Sequence, residues 1–550
     1  MSQESTHKQS GRQESGRRWW LPTLILLLFA ASISGGLLTM IDLKVDEVGL
    51  SQDLAGASGV AVSPDGQHVY TVARDDSALS SYFRNPVFGT LSFLESFVDS
   101  ESGVFGLVGA KSVAVSPDGG YVYVASEGDD TLTVFSREAT TDSLTFLAAE
   151  VQENNVGGVI GLDGASGVVA SSDRQVFVTS MIDDALAVFS RDATTDDHTF
   201  VEAEVNNYGM AMDLDGASAV ALSPDEKHLY VTADIDDALV VFERNAGEID
   251  FVASYKDGED GINGLNGACG VAVSPDDAHV YAVGKVDNAV VAFERDMVTG
   301  ELTFLEYEKD GVNGVDGLDG ATSIAVSPNG DRVLVAGEDD NALAVFRRDI
   351  VTGELHFLEA LMDGVDGVIG LRGTVDVAFS PDGENAYTVG RDDNALAAIS
   401  IAACIGNTAM GDSDGDAYCD DVDLCTGDDA TGDSDGDGWC DDEDICPGSD
   451  DSVDSDGDMI PDGCDLCAVN DSAGDSDGDG VCDDIDVCPG DDAADADMDG
   501  VCDGLDCAPS DPKASTVDVC GVCGGDGSSC GLFSDGFESG DTSGWSSTQP

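Results

Sequence analysis

Between residues 37 and 403 the chain alternates short apolar runs with clusters of turn residues. The stretch Val271–Glu306, VAVSPDDAHVYAVGKVDNAVVAFERDMVTGELTFLE, holds four such runs rich in Val, Ala, Phe, Leu and Tyr. This pattern, bounded by Pro-Asp, Asp-Asn and Thr-Gly, predicts a four-stranded antiparallel meander. Versions of the Ser-Pro-Asp signal recur with Pro64, Pro117, Pro224, Pro275, Pro328 and Pro381. A degenerate copy, Ser171-Ser172-Asp173, fills the gap, giving seven copies spaced 51 to 55 residues apart. A period in that range marks a repeat architecture. One meander cannot bury both its faces, whereas seven arranged radially cover one another. The predicted fold class is all-β, a seven-bladed β-propeller.

The ends of the array predict how the ring closes. The seventh copy stops after three strands, at Asn394–Ala403, NALAAISIAA. Leu38–Ala57, LTMIDLKVDEVGLSQDLAGA, aligns without a gap on Leu302–Ala321, LTFLEYEKDGVNGVDGLDGA. The N-terminal strand is expected to complete the last blade and hide its edge. Consecutive antiparallel strands put the Ser-Pro-Asp turns and the Asp-x-x-Thr-Gly turns on one face. The Gly-rich connections between blades and the loops after each second strand share the opposite face, the better candidate for a ligand mouth.

Charge and cysteine change the picture. With 109 acidic against 23 basic residues the formal net charge is −86. Such a surface repels nucleic acid and anionic membranes and attracts cations; it also suits a salty habitat. Cys269 is the one cysteine of the repeat array, and fourteen more lie between Cys404 and Cys530. Dense, even-numbered cysteine in a short segment implies an oxidising compartment. Residues 1–36 agree: Arg17-Arg18, the apolar WWLPTLILLLFAA and the small-residue exit SISGG read as a signal peptide, with an N-terminal anchor as the alternative. The expected location is secreted or cell-surface, on a bacterial exported protein. The domain order expected is 1–36 targeting, 37–403 propeller, 404–510 acidic repeats and 511–550 a Cys/Gly-rich element and tail.

The acidic repeats carry the sharpest chemical pattern. Five copies follow one another at 20 or 21 residues. Each places carboxylates at positions 1, 3, 5, 9 and 12 of a twelve-residue loop: Asp412, Asp414, Asp416, Asp420 and Asp423; Asp433, Asp435, Asp437, Asp441 and Asp444; Asp454, Asp456, Asp458, Asp462 and Asp465; Asp475, Asp477, Asp479, Asp483 and Asp486; Asp495, Asp497, Asp499, Asp503 and Asp506. Hard dications need six to eight oxygens around one point, and this spacing supplies them, so Ca2+ is the expected cofactor. Gly holds position 6 in three copies, while Ala417 and Met459 replace it in the other two. Aspartate at position 12 is shorter than the usual glutamate, so affinity on the order of 10⁻⁴ to 10⁻³ M is expected. The repeats resemble thrombospondin type 3 repeats through DSDGDGVCDDIDVCPG, Asp475–Gly490. That resemblance implies a segment held by calcium and disulfides with little hydrophobic core. Cysteine parity predicts staggered pairs, 404–419, 425–440, 446–464, 467–482, 488–502, 507–520 and 523–530, because pairing within repeats leaves Cys404 without a local partner. From Cys404 to Cys530 there are 39 acidic residues and one basic residue, Lys513, so folding is expected to couple to metal.

The repeat array itself, Leu54–Ser400, resembles the lactonase-type, or YVTN-type, propeller family through VAVSPDG, VYVAS, FSREATTDSLTFL and their relatives, with LYVTA at Leu229–Ala233 nearest the name-giving motif. The family holds lactone-hydrolysing and cycloisomerising enzymes beside surface proteins, and the resemblance implies His, Arg and Glu converging on the channel. His68, His228 and His279 fall instead just after the Ser-Pro-Asp turn, away from the mouth, and His198 and His356 start outer strands. Arg74 and Arg391 share a repeat position in blades 1 and 7, neighbours in a closed ring, and Arg372 stands where other blades put Asp or Asn. These three arginines are the candidate site for a carboxylate or phosphate, with no catalytic residue assigned. The function expected is binding or adhesion at the cell exterior, to an extracellular protein or glycan. The alternative is a lactonase- or cycloisomerase-type enzyme using the Gly-rich face, with Glu127 or Glu338 beside the arginines.

Overall fold

Strand Leu38–Val45 runs antiparallel to Ala395–Ile401, with Leu38 opposite Ile401 and Val45 opposite Ala395. It is the outer strand of a sheet whose other members are Ala395–Ile401, Asn385–Gly390 and Thr374–Phe379. The ring thus closes through the chain's N-terminal strand, as the alignment with Leu302–Ala321 predicts. The computed structural model describes residues 37–402, apart from 47–52, 139–142, 149–150, 207–212 and 246, together with Trp439. The targeting segment, the five aspartate loops, the clustered cysteines and the C-terminal stretch lie outside these residues.

Six further sheets follow in chain order, each built from consecutive strands with the first innermost. Blade 5 is representative: Ala268–Val273, His279–Gly284, Ala289–Arg295 and Leu302–Lys309. Its second strand, HVYAVG, is buried at every position. That fits a strand covered by a neighbouring blade on each face, and it explains the continuous apolar runs of the sequence. The core accordingly lies between blades. Tyr281, Val283 and Val290 of blade 5 pack on Val333, Val335 and Phe346 of blade 6.

Blade 2 departs from the pattern. Its outer edge is split into Ser143–Phe146 and Gln152–Glu153, both paired with Thr131–Glu138. Leu144–Ala165 is two residues longer than the equivalent Leu302–Ala321, and the surplus breaks the register.

The Ser-Pro-Asp motif does more than turn the chain. In blade 5, Ser274 Oγ accepts the His279 N–H at 2.9 Å and donates to Asp276 Oδ1 at 2.5 Å, fixing that carboxylate. The carboxylate then receives Arg348 from blade 6, at 2.8 Å, and that guanidinium side chain is fully buried. The same latch joins Arg84 to Asp382, Arg137 to Asp65, Arg191 to Asp118, Arg244 to Asp173 and Arg295 to Asp225. The degenerate Ser171-Ser172-Asp173 copy therefore keeps the residue that matters. At the interface of blades 6 and 7 the partners are lost together: Asn329 replaces the aspartate, and Ile401 stands at the arginine position.

Candidate functional site

One hydrogen bond per blade builds the channel mouth on the Gly-rich face. The N–H groups of Arg74, Glu127, Met181, Asp234, Lys285, Glu338 and Arg391 donate to the carbonyls of Gly56, Gly109, Gly164, Gly216, Gly267, Gly320 and Gly373, at 2.9 to 3.1 Å. Seven residues therefore share one level. Glycine is required beneath them: Gly216 has φ +74°, and a Cβ there would lie 1.9 Å from Asp234 Oδ1. One step down the inner strands stand Ser58, Lys111, Ser166, Ser218, Cys269, Thr322 and Val375. The next step is mostly Gly, Ala and Ser, with Asp376 in blade 7, and below it Val60, Val113, Val271, Ile324 and Val377 close the floor. Residues of all these levels line a cavity of about 450 Å³, a volume suited to a small-molecule ligand.

The upper level is a charge network. Arg74 Nη2 donates to Glu127 Oε1 at 3.1 Å, Lys285 Nζ to Glu338 Oε2 at 2.5 Å, and Arg391 Nη2 pairs with the other Glu338 oxygen. Burial alone would raise the Glu338 carboxyl, but Lys285 and Arg391 outweigh it and hold it below the ordinary glutamate value. Asp376 is the reverse case. Burial lifts its pKa, and hydrogen bonds from Ser323 Oγ (2.7 Å), Val60 N–H (2.8 Å) and Val377 N–H (2.9 Å) offset this only in part. It ties blades 6, 7 and 1 together at the channel wall. Asp234 is raised by burial and by neighbouring Asp215, and its Oδ1 is buried with no hydrogen-bond partner.

Asp234 and Asp376 share one cation, Lys111. Rooted in blade 2, it offsets a small part of the burial that raises Asp234 in blade 4, Cys269 in blade 5 and Asp376 in blade 7. It makes no ion pair among the described residues. With no carboxylate at contact distance, its donors are uncommitted among the described residues. Cys269 lines the cavity too; its thiol donates to the Ala321 carbonyl at 3.3 Å, and burial pushes its pKa up to about 12, so it is inert as a nucleophile.

Two of the three candidate arginines meet here. Arg74 and Arg391 line the cavity with side chains 48% and 40% exposed. Arg372 does not: its nearest carboxylate is Asp393 at 3.9 Å, its side chain is 60% exposed, and it is absent from the lining. Arg372 lies in the loop that enters the inner strand, two residues before Thr374, and its carbonyl accepts the Asp392 N–H at 3.0 Å. Glu338 lines the cavity, and Glu127 backs Arg74. Sequence reasoning missed Lys111, Asp234, Lys285 and Asp376. The available signal was departure from the repeat, because Lys111 and Asp376 stand where the other copies carry small or uncharged residues.

No described histidine lines the cavity. His68, His228 and His279 bond Arg137, Arg295 and Arg348 through Nδ1 at 2.6 to 2.9 Å, inside the latches of the far face. Burial and the adjacent guanidinium lower the pKa of His228 and His279, so they stay neutral. A second cavity, about 480 Å³, opens around Arg244 between blades 3 and 4. Its one cation is consumed by Asp173, Gln175 and the Glu226 carbonyl, so it offers no comparable chemistry.

A closed propeller with a charged funnel at one mouth is the class of protein these observations define. Residues 34–160 and 168–369, well over half of the chain, match the lactonase, 7-bladed beta-propeller family, and the chain belongs to it. Among solved structures it is similar to the periplasmic gluconolactonase of Pseudomonas aeruginosa, at 21% identity over 56% of this chain and 85% of that one, with a TM-score of 0.47. A Bacteroides uniformis protein named as a 6-phosphogluconolactonase matches at 22% identity over 58% of this chain and 88% of that one, TM-score 0.47. Virginiamycin B lyase of Staphylococcus aureus matches at 14% identity over 66% of this chain and 100% of that one, TM-score 0.45. These likenesses concern the fold alone. No curated protein matches the chain. Family membership favours the lactone-directed alternative over the binding or adhesion role expected first.

Proposed function

We propose that the propeller hydrolyses a lactone bearing an anionic group, bound at the Gly-rich mouth of the channel. The observation that carries this reading is Lys111, an unpaired ammonium in a cavity that also holds Arg74, Arg391 and a carboxylate of raised pKa. Arg74 and Arg391 hold the anionic group, each keeping N–H donors beyond its ion pair. The lactone carbonyl oxygen faces Lys111. Asp234, ionised, takes a proton from water as the water oxygen bonds to the carbonyl carbon. The negative charge that develops on the carbonyl oxygen is stabilised by Lys111. The ring C–O bond then breaks, and its oxygen receives the proton that Asp234 holds, giving a hydroxy acid. No histidine is used.

The same proposal keeps, for residues outside the described region, export of the chain and calcium binding by residues 404–510. Their donor set, aspartate oxygens alone, fits a hard dication.

The test is release of acid from a panel of carboxylated and phosphorylated lactones by the full chain. Asp234→Asn is expected to lower kcat by about 10²- to 10⁴-fold, and Lys111→Met by about 10²- to 10³-fold. Absence of turnover above buffer across the panel, or wild-type rates in both variants, overturns the reading.

A further inference from the structure

We infer that the ligand of this mouth is amphipathic, an anionic head joined to an aliphatic chain, with the chain lying across the rim of blades 3 to 5. The inference rests on the lactone-hydrolase reading of the same channel and adds the substrate class. In each blade the residue after the mouth level sits at one fixed place, its N–H bonded to the loop that enters the inner strand. In blades 6, 7 and 1 that residue is Asp339, Asp392 and Asp75. In blades 3, 4 and 5 it is Ile182, Ile235 and Val286, exposed by 64, 63 and 66%. Blade 2 has Gly128 there.

These aliphatic side chains are not loose loop tips. Each is pressed over the glycine that starts its inner strand. A Cβ on Gly164, Gly216 or Gly267 would lie 2.8 Å from Ile182 Cγ1, 2.9 Å from Ile235 Cγ1 or 2.8 Å from Val286 Cγ2. Isolated exposed apolar residues need no explanation, but three contiguous ones at a position where the opposite arc carries aspartate form a patch. The seven places divide into three aspartates, three aliphatics and one glycine, with the aliphatics contiguous.

Two observations fix the occupant. The apolar arc borders the cavity at blade 3, where Met181, the residue before Ile182, lines it; Ile182, Ile235 and Val286 stand just outside the lining. Arg391 and Arg74 stand in adjacent blades on the other side of the mouth, beside the aspartate arc. A ligand spanning the mouth therefore meets cations at one end and aliphatic surface at the other. A sugar-like polar lactone would leave the arc wet; a chain-bearing anion covers it.

The probes are butyrate and decanoate below its aggregation concentration, titrated calorimetrically into the full chain. A fully buried methylene strengthens binding about fourfold, so a half-buried one gives about twofold, and the six added methylenes about 60-fold. In Ile182→Ser/Ile235→Ser/Val286→Ser, with unchanged far-UV circular dichroism, the ratio is expected to fall below about fivefold. In Arg74→Ala/Arg391→Ala both ligands weaken while the ratio persists. Equal binding of the two acids by the wild-type chain, or the full ratio kept in the triple serine variant, overturns the inference. Chain-length preference without turnover of any lactone supports it while removing the hydrolase reading; turnover without chain-length preference does the opposite.

Discussion

Removing the aspartate of one interblade latch is expected to destabilise the propeller more than removing its arginine. At the blade 5–6 interface, Arg348 is fully buried while Asp276 is 40% exposed. Arg348 donates to Tyr281 Oη at 2.8 Å, to the Gly330 carbonyl at 2.9 Å and to Asp276 at 2.8 and 3.1 Å. Asp276→Ala leaves a buried guanidinium without its counter-charge. Stranding a buried ion costs about 3 to 5 kcal/mol, and the partial access of water beside residue 276 sets the low end, about 3 kcal/mol. Arg348→Met keeps the apolar stem and leaves Asp276 free to hydrate, so the lost donors to Tyr281, Gly330 and His279 count, about 2 kcal/mol. Urea unfolding followed by circular dichroism is the assay. Tryptophan emission is unsuitable, because Trp19, Trp20, Trp439 and Trp545 all lie outside the propeller. Burial raises the Asp276 carboxyl, but Ser274 and Arg348 outweigh it and leave the pKa lowered. The folded state thus favours the ionised form. The contribution is complete above the unfolded value near 3.9 and fades as pH falls below it, through the lowered folded value. The gap between wild type and Asp276→Ala should hold from about pH 5 to 8 and close in stronger acid. Equal costs below about 1 kcal/mol for both variants would mean an ordinary surface pair, and the latch argument would fail.

Other expectations follow from the same geometry. Ile401→Arg alone should destabilise by about 1 to 3 kcal/mol in urea titration, because Arg332 occupies the histidine position at that interface and Leu334 the tyrosine position; adding Asn329→Asp, Arg332→His and Leu334→Tyr should recover the loss, and no recovery refutes the assignment. Because burial raises the Asp234 pKa, lactone turnover should rise with pH through a value above the ordinary aspartate range of about 3.9 and then level off; a flat profile from pH 4 to 7 removes Asp234 as base. Chelation should expand residues 404–510, read as a larger hydrodynamic radius of the full chain in EDTA; an unchanged radius contradicts calcium coupling. Peptide mapping should find the staggered cysteine pairs, and a six-residue loop such as 440–446 would displace them.

The ring was legible because strand patterning and a fixed period act locally, and Leu38–Val45 could be matched to Leu302–Lys309 residue by residue. The latches were not legible as ion pairs, since five of them join partners 70 to 73 residues apart and the ring-closing one joins partners 298 apart. Pairing over that separation depends on blades already packed. Arg74 and Arg391 were found because the closed ring makes blades 1 and 7 neighbours. Lys111 escaped because its role depends on where a long side chain ends within the channel. Arg372 stands off the lining because a matching repeat position fixes the backbone and leaves the direction of a long loop side chain open.

The two faces of the ring obey opposite rules, and this locates the chemistry. On the Ser-Pro-Asp face, six of seven interfaces repeat one aspartate–arginine latch, and where one partner goes the other goes with it. That is the mark of a packing requirement, repeated at six interfaces because each poses the same problem. At the mouth, one backbone hydrogen bond holds seven equivalent places, yet the side chains there are Arg, Glu, Met, Asp, Lys, Glu and Arg. Packing does not demand that variety, since any residue but proline satisfies the bond. Ligand binding does demand it, because a small molecule in a symmetric ring needs an asymmetric set of partners. The cation pair at blades 7 and 1, the ammonium from blade 2, the carboxylate at blade 4 and the aliphatic arc of blades 3 to 5 supply that asymmetry. The repeat thus serves as its own control: where copies agree they build the ring, and where they differ under one backbone geometry they set the chemistry of the mouth.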